Sequence, residues 1–113
     1  MTIYKITPRA LWQQAEAAGQ FTGAPVDEAD GFIHFSTAAQ VKETAAKHFA
    51  GQTDLLLVAI DEAALGEGLR YEPSRGGDLF PHLYAPLPLS AVMWVKLLPI
   101  NENGTHAFPD LDA

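Results

Sequence analysis

The chain has 113 residues, 48% of them hydrophobic and 19% charged, a balance that suits one globular domain over residues 1–113. Fourteen acidic against seven basic residues leave a net charge of −7, which disfavours general nucleic-acid or acidic-membrane binding and leaves room only for a local basic pocket. With no cysteine, disulfides, thiol nucleophiles and Cys-ligated metal centres are excluded.

Thr2 to Ile6 reads as a short opening strand. Thr7 and Pro8 then look like a helix start, Thr as N-cap and Pro at the first helical position. Leu11, Ala15 and Ala18 share one face of that helix, which ends at Gly19; Trp12 lies one step off the stripe and is assigned to the core. Gln20 to Asp30, with Gly23 and Pro25, reads as a loop. Gly31 to Phe35 is a compact strand whose alternation puts Phe32, His34 and Ser36 on one face and Ile33 and Phe35 on the other. Thr37 and Gln40 form a capping box for a second helix, which turns Val41 and Ala45 to the core, with Phe49 or His48, and stops at Gly51. Leu55 to Ile60 is apolar on both faces and therefore a central strand. A turn from Asp61 to Gly68 leads to a short strand, Leu69–Glu72. A mobile loop over Pro73 to Asp78 follows, carrying Arg75 and placed to act as a lid. Phe80–Tyr84 and Ala91–Ile100 are further strands, and the polar segment from Asn101 is expected to fray. Many strands with two helices in the N-terminal half make the fold class α+β. The expected architecture is a split, mostly antiparallel sheet with a cleft between its halves.

The N-terminus has no charged segment followed by an apolar run, so no signal peptide is expected and the cytoplasm is the default location. The longest uncharged stretch, Leu79 to Val95, is broken by Pro81, Pro86 and Pro88, which suits strands and turns better than a membrane helix.

Histidines are the first candidates for chemistry, because imidazole titrates near neutral pH. The segment Gly31–Thr37 brings His34, two hydroxyls (Ser36 and Thr37) and a helix N-terminus to one place, a setting for a phosphate, a carboxylate or a polarised carbonyl. The alternative reading of His34 is a core histidine held by one backbone hydrogen bond. His82 and Tyr84 share a strand face between prolines, as a site or as a rigid edge whose aromatics cap the core. Arg70 and Glu72 share a face beside Tyr71, either as a surface ion pair or as an anion clamp with a carboxylate base. His48 and His106 read as surface or helix-end residues. No Walker, dinucleotide-fingerprint or Ser-His-Asp pattern is present, and no ligand pair sits at a metal-binding spacing on a helix.

The set Ile3-Tyr4-Lys5-Ile6 with Trp12, Gly31-Phe32-Ile33-His34 with Ser36-Thr37, Asp54-Leu55, Arg70-Tyr71-Glu72 and Pro81-His82-Leu83-Tyr84 resembles the bacterial domain of unknown function 952 family, from about Thr2 to Leu98. The resemblance implies an ADP-ribosyltransferase-like fold, a split antiparallel sheet around a nicotinamide dinucleotide. It places Tyr4-Lys5 on the first strand, Ser36-Thr37 before a helix, and Glu72 as a candidate acid on a late strand. The sequence departs from the pattern at Lys5, where histidine is common, and at Ala85, where glycine is usual. By this resemblance the protein is a small-ligand-binding protein with a His-lined cleft, with NAD as the implied cofactor and ADP-ribosyl or related group transfer as the implied activity. His34, His82 and Glu72 would be catalytic. Lys5, Ser36, Thr37, Arg70 and Tyr84 would bind the cofactor. The alternative is a non-catalytic module for a small anionic metabolite.

Overall fold

The computed structural model describes residues 1–74 and 76–111. β1 (Thr2–Pro8) leads into α1 (Arg9–Ala18), β2 (Gln20–Phe21), α2 (Pro25–Asp30), β3 (Ile33–His34), β4 (Ser36–Thr37) and α3 (Val41–His48). β5 (Leu55–Asp61), β6 (Leu69–Ser74), β7 (Asp78–Leu83), β8 (Leu87–Pro88) and β9 (Val92–Leu98) follow, with short 3₁₀ turns after β5 and before β9. The class is α+β, and the strand pairs are antiparallel: β4-β1-β5-β9 in one sheet, β3-β7-β6 in a second, β2-β8 in a third.

The main sheet separates two hydrophobic clusters. Alternation along β5 sends Leu56, Val58 and Ile60 to one, and Leu55, Leu57 and Ala59 to the other. The first cluster takes Trp12 and Ala15 of α1, Ile33 and Leu83 from the second sheet, and Phe35 between β3 and β4. The second takes Val41 and Ala45 of α3. β5 is central, as its unbroken apolar run predicts, and Leu55 through Ile60 are buried. The two larger sheets are joined covalently at β3 and β4. Ile33 and His34 pair with β7, while Ser36 and Thr37 pair with β1, so the chain crosses between the sheets at Phe35.

Four expectations are corrected. Thr7 and Pro8 do not start the helix. Thr7 is fully buried in β1, and the Arg9 N–H donates to the Asp54 carbonyl, extending the β1–β5 pairing, while Pro8 makes no side-chain cap. The stretch read as a loop from Gln20 contains β2 and a third helix, α2. Pro25 at its first position, an acid at its third and Gly31 after its end are the helix signals the loop residues masked. The predicted Pro73–Asp78 loop is shorter than expected, since Pro73, Ser74 and Asp78 are strand residues and β6 and β7 pair out to Ser74 and Asp78, with Gly76 and Gly77 in the turn; Arg75, the lid residue, lies outside the described residues. The polar C-terminal segment is tied down as far as Leu111. Ile100 bridges His106, Gly51 N–H donates to Gly104 carbonyl, and Phe108 and Leu111 pack on the second cluster.

Candidate functional site

Alternation fixes what the second sheet presents. One face of β3, β6 and β7 carries Ile33, Leu69 and Leu83 to the core; the other carries His34, Arg70, Glu72 and His82. His34 and His82 are direct cross-strand partners, and Arg70 lies opposite His82 on the other side, so the three form one row. The rings of His34 and His82 meet edge to face at 5.5 Å. Phe32 binds the group together, its ring 4.1 Å from His82, 4.6 Å from His34 and 5.2 Å from Tyr84.

Two carboxylates organise this face. Glu72 Oε1 accepts from Tyr84 OH at 2.6 Å and lies 2.9 Å from His82 Nδ1. The hydrogen bonds from Tyr84 and His82 hold the Glu72 carboxyl below its ordinary range, and the same Tyr84–Glu72 bond pushes the phenol up. The Arg70 guanidinium sits 5.2 Å from the centre of the Tyr84 ring. Arg70, Glu72, His82 and Tyr84 thus form one network, although Tyr84 is 44% exposed.

The second carboxylate, Asp27, is the residue that sequence reading missed, because it lay in the presumed loop. It is 1% exposed. Its Oδ2 accepts from the Ala24 N–H at 2.7 Å, the reach-back half of a capping box. Its Oδ1 accepts from the His34 N–H at 3.0 Å and lies 2.6 Å from His34 Nδ1. Lys5 Nζ, from the buried face of β1, is 2.9 Å from Oδ2 and 3.0 Å from Oδ1. Burial disfavours the Asp27 carboxylate, but the His34 side-chain hydrogen bond, the charge and hydrogen bond of Lys5 and the Ala24 N–H prevail and bring its pKa down to about 2. Burial likewise pulls Lys5 below the ordinary lysine range, against the opposing pull of Asp27. Gly23 makes this packing possible: a Cβ there would lie 2.7 Å from that of Asp27.

A cleft of about 420 Å³ opens beside this node. His34, Asp30, Ser36, Thr44, His48 and Ser74 line it, together with Tyr4, Lys5 and the apolar Ile6, Val26, Phe35 and Phe49. Of the expected site residues, His34, Ser36 and Lys5 reach the cleft. Ser36 Oγ is 2.8 Å from Thr44 Oγ1. Lys5 is tied to the cleft's histidine through Asp27. Thr37 lies on β4 opposite Ile3 and is not part of the wall; its N–H donates to Gln40 Oε1 at 3.1 Å. The Arg70–Glu72–His82–Tyr84 network adjoins the cleft through the His34 and Phe32 rings rather than lining it. His48, read as a bystander, is in the wall.

Fold and site together define an α+β protein whose two larger antiparallel sheets are joined at Phe35, between β3 and β4, with a paired-histidine, two-carboxylate face at the joint. The sequence profile described as Protein of unknown function (DUF952) matches residues 6–95, and the chain belongs to that family. It is similar to protein CC0527 from Caulobacter crescentus. The crystal structure of that protein has 50% sequence identity and a TM-score of 0.91, over 95% of this chain and 94% of that one. Its solution NMR structure gives 51% identity and a TM-score of 0.83, over 92% and 90% of the two chains. No curated protein matches the chain significantly.

Proposed function

We propose that the protein binds a small ligand carrying hydroxyl and anionic groups in the cleft beside His34. The observation that carries this reading is the placement of His34: a buried carboxylate orients the ring at the mouth of a cleft whose wall also offers the side chains of Ser36, Thr44, His48 and Ser74. The volume lies in the range of small-molecule sites, and an apolar wall with a few convergent polar groups is their usual composition. The finer reading is an ADP-ribosyltransferase-like protein that takes a nicotinamide dinucleotide and transfers its ADP-ribosyl or a related group, with nicotinamide leaving. The family resemblance and the split sheet support it, and fold analogy carries most of it. In that reading the hydroxyls and imidazoles serve ribose and phosphate, Arg70 attracts phosphate, and Glu72 stabilises positive charge developing on the ribose. Lys5 acts through Asp27, which already holds its ammonium. A non-catalytic module is the second reading, favoured because Glu72 lies outside the cleft wall and is already engaged by both His82 and Tyr84, so it is not a free base.

The test is a titration of the isotopically labelled protein with millimolar NAD. Shift changes at His34, Ser36 and His48, together with a raised melting temperature, are expected; a ligand at 100 times its Kd adds about 2.7 kcal/mol. No change at those residues removes the dinucleotide. If NAD binds, His34→Ala and His82→Ala separate the two readings: an enzyme loses turnover with affinity nearly kept, whereas a module changes in affinity only.

A further inference from the structure

His34 has a carboxylate at each ring nitrogen: Asp27 Oδ1 at 2.6 Å from Nδ1 and Asp30 Oδ2 at 2.9 Å from Nε2. The two are not equivalent. Asp27 is sealed in, and it neutralises buried Lys5 and accepts from two backbone N–H groups, so it cannot leave without stranding a buried cation. Asp30 is the last residue of α2, its side chain is 49% exposed, and it forms part of the cleft wall. An ion pair this open to water is worth little and breaks readily. Both carboxylates are acceptors, and a neutral imidazole has a single N–H to offer, so the closed arrangement satisfies both only when the ring carries two protons.

We propose that the Nε2–H of His34 is an oxyanion-binding point, and that Asp30 is its intramolecular occupant, holding the place that a carboxylate or phosphate oxygen of the ligand takes over. Asp27 is the positioning residue: it accepts from Nδ1–H and thereby directs Nε2 at the cleft. Ser36, Thr44 and His48 line the same cleft. His82 and Phe32 close the ring's other sides, so Nε2 is the edge a ligand can approach. The inference rests on the reading of this cleft as a ligand site, and it assigns to that ligand an oxyanion that competes with Asp30.

The experiment follows the imidazole nitrogens of the full-length protein by NMR at one fixed, mildly acidic pH. Inorganic phosphate and acetate are titrated separately into the wild type, Asp30→Ala and Asp30→Glu. Because Asp30 is exposed at a helix end, neither substitution threatens folding. Asp30→Ala should lower the midpoint at His34 Nε2 by about tenfold, as expected when a like charge is removed from the path of an anion. Asp30→Glu should restore most of the competition. A response to phosphate alone assigns a phosphate group; a response to both assigns any oxyanion. Equal midpoints in the wild type and Asp30→Ala, or shifts confined to His106, overturn the proposal. Asp27→Asn adds a readout that simple loss of packing does not mimic: it keeps an oxygen acceptor but removes the charge, so in the Asp30→Ala background it should move the Nδ1–H signal of His34 upfield and reduce the gain in phosphate binding. Phosphate gain without any NAD binding leaves the oxyanion point and removes the dinucleotide. NAD shifts with no Asp30 effect do the reverse.

Discussion

Asp27 gathers Lys5, the His34 ring and two backbone N–H groups on one buried carboxylate. Its pKa of about 2 lies below the 3.8 of an unperturbed aspartate, so folding is favoured by its ionisation. The contribution, about 2 kcal/mol, is fully present above pH 3.8 and is lost as pH falls through 2. Acid titration of stability, followed by circular dichroism in urea, should therefore show a loss across that window that is absent from Asp27→Asn. At neutral pH Asp27→Ala should be destabilised by about 3–5 kcal/mol, because it leaves Lys5 buried without a partner. The histidines at this face were legible in the sequence because imidazoles in apolar strands are chemically conspicuous. Asp27 was not, because an aspartate among Gly, Pro and other acids looks like turn chemistry, and its partner Lys5 is 22 residues away.

At the scale of elements, the site exists because α2 delivers Asp27 and Asp30 to the strand that follows. Gly23 and Gly31 bracket this helix, both with positive φ, +111° and +86°. Gly23→Ala is strained in φ and also meets Asp27, whereas an alanine at Gly31 is strained in φ alone with open space around its Cβ. Gly23→Ala should therefore cost about 1–3 kcal/mol and disturb the His34 Nδ1 signal, while Gly31→Ala leaves that signal in place; thermal melts and imidazole NMR check both. Most predicted strands survived in the structure with shifted ends, since alternation marks a strand without marking where pairing stops; the strand expected over Gly31 to Phe35 keeps only Ile33–His34, because the chain crosses to the main sheet at Phe35. The hairpin of β6 and β7 is the clearest case. Its last two residues before the turn, Pro73 and Ser74, have turn-forming composition, yet each is opposite a β7 residue.

Across the whole molecule, the main sheet needs cover on both faces, and the C-terminal segment supplies part of it. Phe108 and Leu111 pack against the cluster beneath α3, and His106 Nε2 lies 2.9 Å from the carbonyl of Gln52 just beyond that helix. Truncation after Asn101 should lower stability by about 2–4 kcal/mol, read as a drop in melting temperature, and loosen α3, which carries Thr44 and His48 of the cleft wall. Among the described residues no helix is long and apolar enough to cross a membrane. What the sequence determined unaided was periodic: the central strand, the two longer helices, and the common face of His82 with Tyr84 and of Arg70 with Glu72, because side-chain direction follows from spacing along one element. What only the tertiary structure decided was which of those faces meet. Lys5 with Asp27, His34 with His82, and Thr44 with Ser36 are matters of strand pairing and helix packing, and the energy that selects them comes from burying the two apolar clusters, in which none of these polar groups takes part.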